Sequence, residues 1–104
     1  MNEKIKTTYI EANYMREIQP YMAYFRAIEE VFDFSILDDF ADLGCNNGCL
    51  LNILHKKYPH IDILGLDYFE WAKKHADASI REQIKIADLG LPYDFTKNYS
   101  IVNC

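Results

Sequence analysis

The sequence predicts an α/β fold built on a parallel sheet, and three observations carry that prediction. From Asp39 onward, short apolar runs alternate with stretches of helical spacing in the order strand, helix, strand, helix, strand. The runs are nearly continuous in their apolar character, as suits a sheet covered on both faces. Three of them meet an acid at or near their ends, Asp42, Asp67 and Asp88, where an open parallel sheet receives its ligands.

Composition is consistent with this. The chain has 104 residues, 50% of them hydrophobic and 26% charged, the size and balance of one globular domain and not of a disordered or fibrous chain. Eleven Lys and Arg against sixteen Asp and Glu leave a net charge of −5, which argues against non-specific nucleic-acid binding. No apolar run reaches the ~18 residues of a membrane span, and Met1 to Thr8 carry neither an apolar export core nor an Arg-rich amphipathic pattern. The expected location is the cytoplasm, with no membrane partner. Cys45 and Cys49 stand four apart without a second Cys or His pair nearby, so we read them as small buried thiols and expect no metal.

Residues 1–37 read as a helical segment that packs on the sheet. Met15, Ile18, Tyr21, Met22, Phe25, Ile28 and Phe32 recur at helical spacing. Pro20 interrupts them, so the firm part of the helix is expected from Tyr21 to Phe32, with its aromatic stripe facing the core. Residues 38–104 then form the sheet. Phe40–Leu43 is the first strand, stopped by Gly44. Gly48–Tyr58 is a helix that places Leu51, Leu54 and Tyr58 on one side and ends before Pro59. Ile61–Leu66 is the second strand and Phe69–Ser79 the next helix, with Ala72, His75, Ala76 and Ser79 at packing spacing. Gln83–Ala87 and Tyr99–Cys104 are the third and fourth strands. The connection between them, Asp88 to Asn98, contains Pro92 and is too short for a full helix.

The candidate site follows from the strand ends. Asp42-Leu43-Gly44-Cys45-Asn46-Asn47-Gly48 is a tight loop that runs into a helix N-terminus, whose free N–H groups favour a carboxylate. Glycine lets backbone approach a ligand closely, and Asn46 is the residue type that best replaces glycine at positive φ. Asp67 falls at the next strand end, placed to accept from ribose hydroxyls. Neither the dinucleotide-binding nor the phosphate-loop glycine pattern is present. An acid at the start of the loop repels a pyrophosphate and attracts an ammonium or sulfonium. S-adenosylmethionine carries both, with a carboxylate for the helix and a ribose for Asp67.

These segments resemble class I S-adenosylmethionine-dependent methyltransferases. Asp42 to Gly48 is similar to that family's acid-x-Gly-x-Gly-x-Gly loop, with Asn46 in place of the middle glycine. Leu64-Gly65-Leu66-Asp67-Tyr68 resembles its second motif, Ile86-Ala87-Asp88-Leu89 with Leu91-Pro92 its third, and Tyr99–Cys104 its fourth strand. The resemblance implies a Rossmann-like parallel sheet with helical crossovers in strand order 3-2-1-4, part of the family's seven-stranded 3-2-1-4-5-7-6. It also implies residue roles. Asp42 and the backbone of Gly44, Cys45, Asn46, Asn47 and Gly48 hold the methionine end of the cofactor, and Asp67 holds the ribose. Tyr68 lies against the adenine, Asp88 accepts from its amino group, and the Leu89 amide sits beside it. Ser100 stands where the family often has Asp, a change expected to act on the local turn.

In the family, the groups that position the acceptor commonly follow the fourth strand. No catalytic base is identified here; His55, His60 and His75 sit in or just after helices, as packing or surface residues. The resemblance places all three helices on one face. The other face and the fourth strand's edge are therefore expected to be exposed, and the chain to be the amino-terminal portion of a longer enzyme or to form a homodimer. The function expected is methyl transfer from S-adenosylmethionine to an acceptor. The alternative is a non-catalytic S-adenosylmethionine-binding or interaction module that keeps the fold.

Overall fold

Two five- and six-residue runs with buried side chains, Asp39–Leu43 (β1) and Asp62–Asp67 (β2), pair in parallel at the centre of the molecule. The computed structural model describes residues 19–104. Ile84–Ile86 (β3) adds to β2 and Val102–Asn103 (β4) adds to β1, both parallel, so the sheet order is β3-β2-β1-β4. This is the 3-2-1-4 order expected above. Helices occupy residues 19–31 (α1), Cys49–Lys57 (α2) and Glu70–Lys74 (α3). Single 3₁₀ turns lie at Phe34–Ile36 and Arg81–Gln83.

The pleat divides the strand side chains between two cores. Phe40 and Ile63, opposite one another in register, face α1 and α2 and meet Phe25, Phe34, Leu50, Leu51 and Leu54. Phe25 and Phe34 pack ring against ring at 5.7 Å, and Phe34 stacks on Tyr58 at 5.6 Å. The Tyr58 hydroxyl donates to Glu29 at 2.7 Å, and Lys57 pairs with the same carboxylate at 2.6 Å, tying the end of α2 to α1. The helix α2 stops because Pro59 cannot continue it; its last turn carries His55, Lys56 and Lys57 against the helix dipole.

Several expectations need correction. The described part of α1 includes Pro20, so helix begins before Tyr21 there; Met15 and Ile18 lie outside the described residues. The second crossover helix ends at Lys74 instead of Ser79. Asp77 accepts from the Ser79 amide at 3.0 Å and from its hydroxyl at 2.6 Å, a local side-chain turn that competes with helix. Arg81 donates to the Ala76 carbonyl at 2.9 Å, satisfying a group that a longer helix would have used, and Lys73 donates to the Ile84 carbonyl of β3 at 2.9 Å. The third strand loses Gln83 to a 3₁₀ turn, and the fourth keeps only Val102 and Asn103 of the six residues expected.

The second face is also not bare. Ala41, Leu64 and Leu66 are buried there beneath Tyr93 and Tyr99, because the segment between β3 and β4 folds back across the sheet as irregular chain. β4 remains an edge strand with Val102 exposed.

Such a short strand needs side-chain help. The Ala41 amide donates to the Ile101 carbonyl at 2.9 Å. The buried Asp39 carboxylate accepts from the Ser100 amide and faces Lys97 at 3.5 Å. Ser100 thus works through its backbone at the turn into β4. The amide bond, followed by weaker help from the Ser100 side chain and Lys97, holds the Asp39 carboxyl below its ordinary value. A lowered carboxyl stabilises the fold above its unfolded pKa of ~3.9 and loses that contribution as pH falls through the folded value. Asp39→Asn is expected to destabilise the protein at pH 7 by about 1.5–3 kcal/mol, the range for a hydrogen bond to a charged acceptor. In denaturation curves the deficit should shrink toward acid pH, where the wild-type carboxylate is itself protonated.

Candidate functional site

The loop after β1 is shaped by three residues in the left-handed region: Gly44 at φ 75°, Asn46 at 55° and Gly48 at 77°. Asn46 therefore occupies its glycine-type position in the conformation that Asn tolerates. Gly48 has a second constraint, since a Cβ there would come within 2.7 Å of Ile80 and 2.8 Å of Ile84. At Gly44 a Cβ would meet nothing within 4 Å, so the backbone there fronts open space.

β2 holds the loop in place. The amides of Gly44 and Cys45 both donate to the Leu66 carbonyl, at 2.7 and 3.0 Å. One oxygen of Asp67 accepts from the Asn46 amide at 2.8 Å and the other from the Phe69 amide at 3.0 Å. Asp67 thus braces the loop, and its oxygens keep further lone pairs for a hydroxyl. The helix α2 starts at Gly48, and no side chain caps it. Asn47 is buried with its side-chain oxygen unpartnered, and the Cys45 thiol turns inward, toward the space beside Gly65. Burial, reinforced by the charges of Asp42 and Asp67, pushes the Cys45 thiol up to about 12, so it is not a nucleophile. Cys49 is buried as well, as the sequence suggested.

Beside the loop opens a cleft of about 580 Å³, lined by Tyr21 and Tyr24 of α1, Asp42, Leu43 and Gly44 at the end of β1, and Asn103 from β4. It lies between β1 and β4, the point where the strand order reverses. Asp42 is only 5% exposed. It accepts from the Asn103 amide nitrogen at 2.9 Å, and the Asn103 carbonyl in turn accepts from the Tyr24 hydroxyl. Burial raises the Asp42 carboxyl to about 6; Asn103 offsets part of the shift and the like charge of Asp67 adds to it. At neutral pH it is a buried carboxylate with no cation among the described groups that shift it, which is an arrangement suited to a positively charged ligand.

The remaining expected site residues divide. Tyr68 is 61% exposed at the end of β2, edge-on to Phe69 at 5.3 Å. Asp88 and Leu89 follow β3, whose next residue, Ala87, donates to the Asp67 carbonyl at 2.8 Å. Asp88 accepts from the Gly90 amide at 2.9 Å, closing its own turn. Asp67, Tyr68, Asp88 and Leu89 thus occupy successive strand ends but do not line the cleft. Nor do the histidines. His75 stacks on Trp71 at 4.5 Å, and His60 is exposed.

Tyr21, Tyr24 and Asn103 were not among the expected site residues. The aromatic spacing of α1 suggested core, and Phe25 indeed fills it, but Tyr24 is 44% exposed and faces the cleft. For Tyr21 the available signal was a hydroxyl on an otherwise apolar stripe; Tyr24 lay off that stripe.

No protein-family model matches the chain, and no curated protein matches it. Solved structures do. The plantazolicin methyltransferase BpumL, in complex with a pentazolic desmethylPZN analog and SAH, aligns with a TM-score of 0.70 and 21% identity over 93% of this chain and 40% of its own. Coclaurine N-methyltransferase bound to N-methylheliamine and SAH aligns at 0.66 and 18%, over 79% of this chain and 26% of its own. Streptomyces venezuelae DesVI aligns at 0.66 and 17%, over 89% and 39%. With the 3-2-1-4 sheet, these likenesses show part of the class I methyltransferase fold, and this chain spans about 40% of the length of BpumL. Among the described residues, no helix is long and apolar enough to cross a membrane.

The raised Asp42 carboxyl has a consequence for stability. Because the folded state holds its proton more tightly, the linked stabilisation is complete below the unfolded value and is lost as pH rises through about 6. Asp42→Asn, which keeps an acceptor for Asn103, is therefore expected to stabilise the fold at pH 8 by about 1–3 kcal/mol. Denaturant titrations of the two proteins should converge near pH 4.

Proposed function

We propose that this chain is the cofactor-binding part of an S-adenosylmethionine-dependent methyltransferase. One observation carries the reading: a buried carboxylate, Asp42, borders a cleft at the strand-order switch, beside a glycine-bearing loop and a helix start that no side chain caps. This donor set fits the methionine end of the cofactor. Asp42 faces its cationic groups, the first turn of α2 its carboxylate, and the open backbone at Gly44 allows close approach. When bound, the cofactor supplies a sulfonium methyl as the electrophile. The chain's own part is to orient it and to keep water from the carboxylate that meets its charge.

The adenosine end falls to the neighbouring strand ends in the same reading. Asp67 accepts from the ribose hydroxyls with its remaining lone pairs, Tyr68 offers a ring face to the adenine, and Asp88 with the Leu89 amide meets the adenine edge. The likeness to BpumL and coclaurine N-methyltransferase, both solved with SAH, supports this assignment. The proposal includes the expected division of the chain: residues 1–37 as the covering helical segment and 38–104 as the binding part, in a cytoplasmic enzyme that acts on an acceptor held largely by other segments or by a second copy.

Titration calorimetry with S-adenosylhomocysteine tests it. Binding is expected at pH 7.5, weakening roughly tenfold by pH 5 as Asp42 takes up its proton. Asp42→Asn should weaken binding about tenfold or more while leaving adenosine binding unchanged. A folded protein that ignores S-adenosylhomocysteine would overturn the reading in favour of an interaction module. Preference for NAD would point instead to a dinucleotide enzyme.

A further inference from the structure

We propose that Tyr24 is a positioning residue for the cleft, acting through Asn103 to aim an amide N–H at Asp42 and keep that carboxylate ready for a cationic group. The inference rests on the function proposed above for its purpose, but not for its measurement.

The geometry is a chain of two hydrogen bonds that joins three elements. The Tyr24 hydroxyl of α1 donates to Asn103 Oδ1 of β4, and Asn103 Nδ2 donates to Asp42 Oδ1 of β1 at 2.9 Å. All three residues line the same cleft. An Asn side chain can present either end to a carboxyl group: its N–H₂ suits a carboxylate, and its carbonyl suits a protonated acid. A phenol donating to the carbonyl end favours the first arrangement. It also polarises the amide, so the bond to Asp42 strengthens along the chain. Tyr24 therefore reaches Asp42 without touching it.

Among the described residues, the titratable groups of the loop and β2 beside Asp42 do not supply that help. Asp67 at the end of β2 repels its charge, and the Cys45 thiol on the loop stays neutral. Across the cleft stand Tyr21 of α1 and Cys104 after β4. Among the described residues none of these groups is cationic at neutral pH, and the hydrogen bond from Asn103, with Tyr24 behind it, opposes the effect of burial on that charge.

The experiment is a ¹³C NMR titration of the Asp42 carboxyl in the ligand-free protein, its signal assigned by its absence in Asp42→Asn. Tyr24→Phe removes one oxygen and is expected to raise the titration midpoint by roughly half a pH unit. Asn103→Leu should raise it at least as far, and adding Tyr24→Phe to that variant should change nothing more. Should Asn103→Leu fail to fold by circular dichroism, Asn103→Ser takes its place in the same comparison. An unchanged midpoint in Tyr24→Phe, or an equal shift in the Asn103 background, would overturn the proposal. A merely structural role for Tyr24 would lower stability and leave the midpoint where it was. In parallel, the pH at which S-adenosylhomocysteine binding weakens should move upward in Tyr24→Phe by the same interval. If the wild type does not bind S-adenosylhomocysteine, the function proposed above fails, while the ligand-free titration still decides the role of Tyr24.

Discussion

The site depends on one tie, the attachment of the glycine-bearing loop to the end of β2. Leu66 offers its carbonyl to two successive loop amides, and Asp67 gives one carboxylate oxygen to the loop and the other to the chain entering α3. These bonds fix a segment whose backbone visits the left-handed region three times. Without them, the positions of Gly44 and Asp42 relative to the start of α2 would be loose, and a charge-recognising pocket requires them to be set. An acid read in the sequence as a ligand contact is therefore first a brace, and the binding role proposed for it would draw on the lone pairs left over.

Asp42 illustrates the tension between stability and the binding proposed for it. Burying a carboxylate with an amide for a partner works against the fold at neutral pH, and the protein tolerates it at the strand-order switch. The neighbouring Asp39, on the same strand, shows the opposite balance. Its carboxylate meets a backbone amide and an ammonium, and it favours the fold. Two acids three residues apart thus serve different ends because their surroundings differ.

Much of the architecture was legible in the sequence, because β1, β2 and α2 are marked by local signals: continuous apolar runs, Gly48 and Pro59. The strand order followed from the resemblance that the loop and the acids at the strand ends carry. What was not legible depends on side-chain hydrogen bonds, one of them local, and on long-range contacts. The helix α3 is cut short by Asp77 bonding to Ser79 and by Lys73 reaching a carbonyl 11 residues away. β4 pairs with β1 at two residues only, and the face left bare by the helices is covered by Tyr93 and Tyr99. At the site, the loop and Asp42 could be read from sequence, whereas Tyr24 and Asn103 are 79 positions apart and meet only through the fold.

The ring of Phe25 is held in the core between Phe34 and Tyr58, and the next residue toward the amino terminus is Tyr24 at the cleft mouth. One side of the helix is thereby anchored in the core while the other lines the cleft. A substitution that loosens the packing of Phe25 acts on the residue next to the phenol. The width of the opening is then inherited from the tightness of the aromatic packing behind it, so substitutions far from any ligand can retune the mouth.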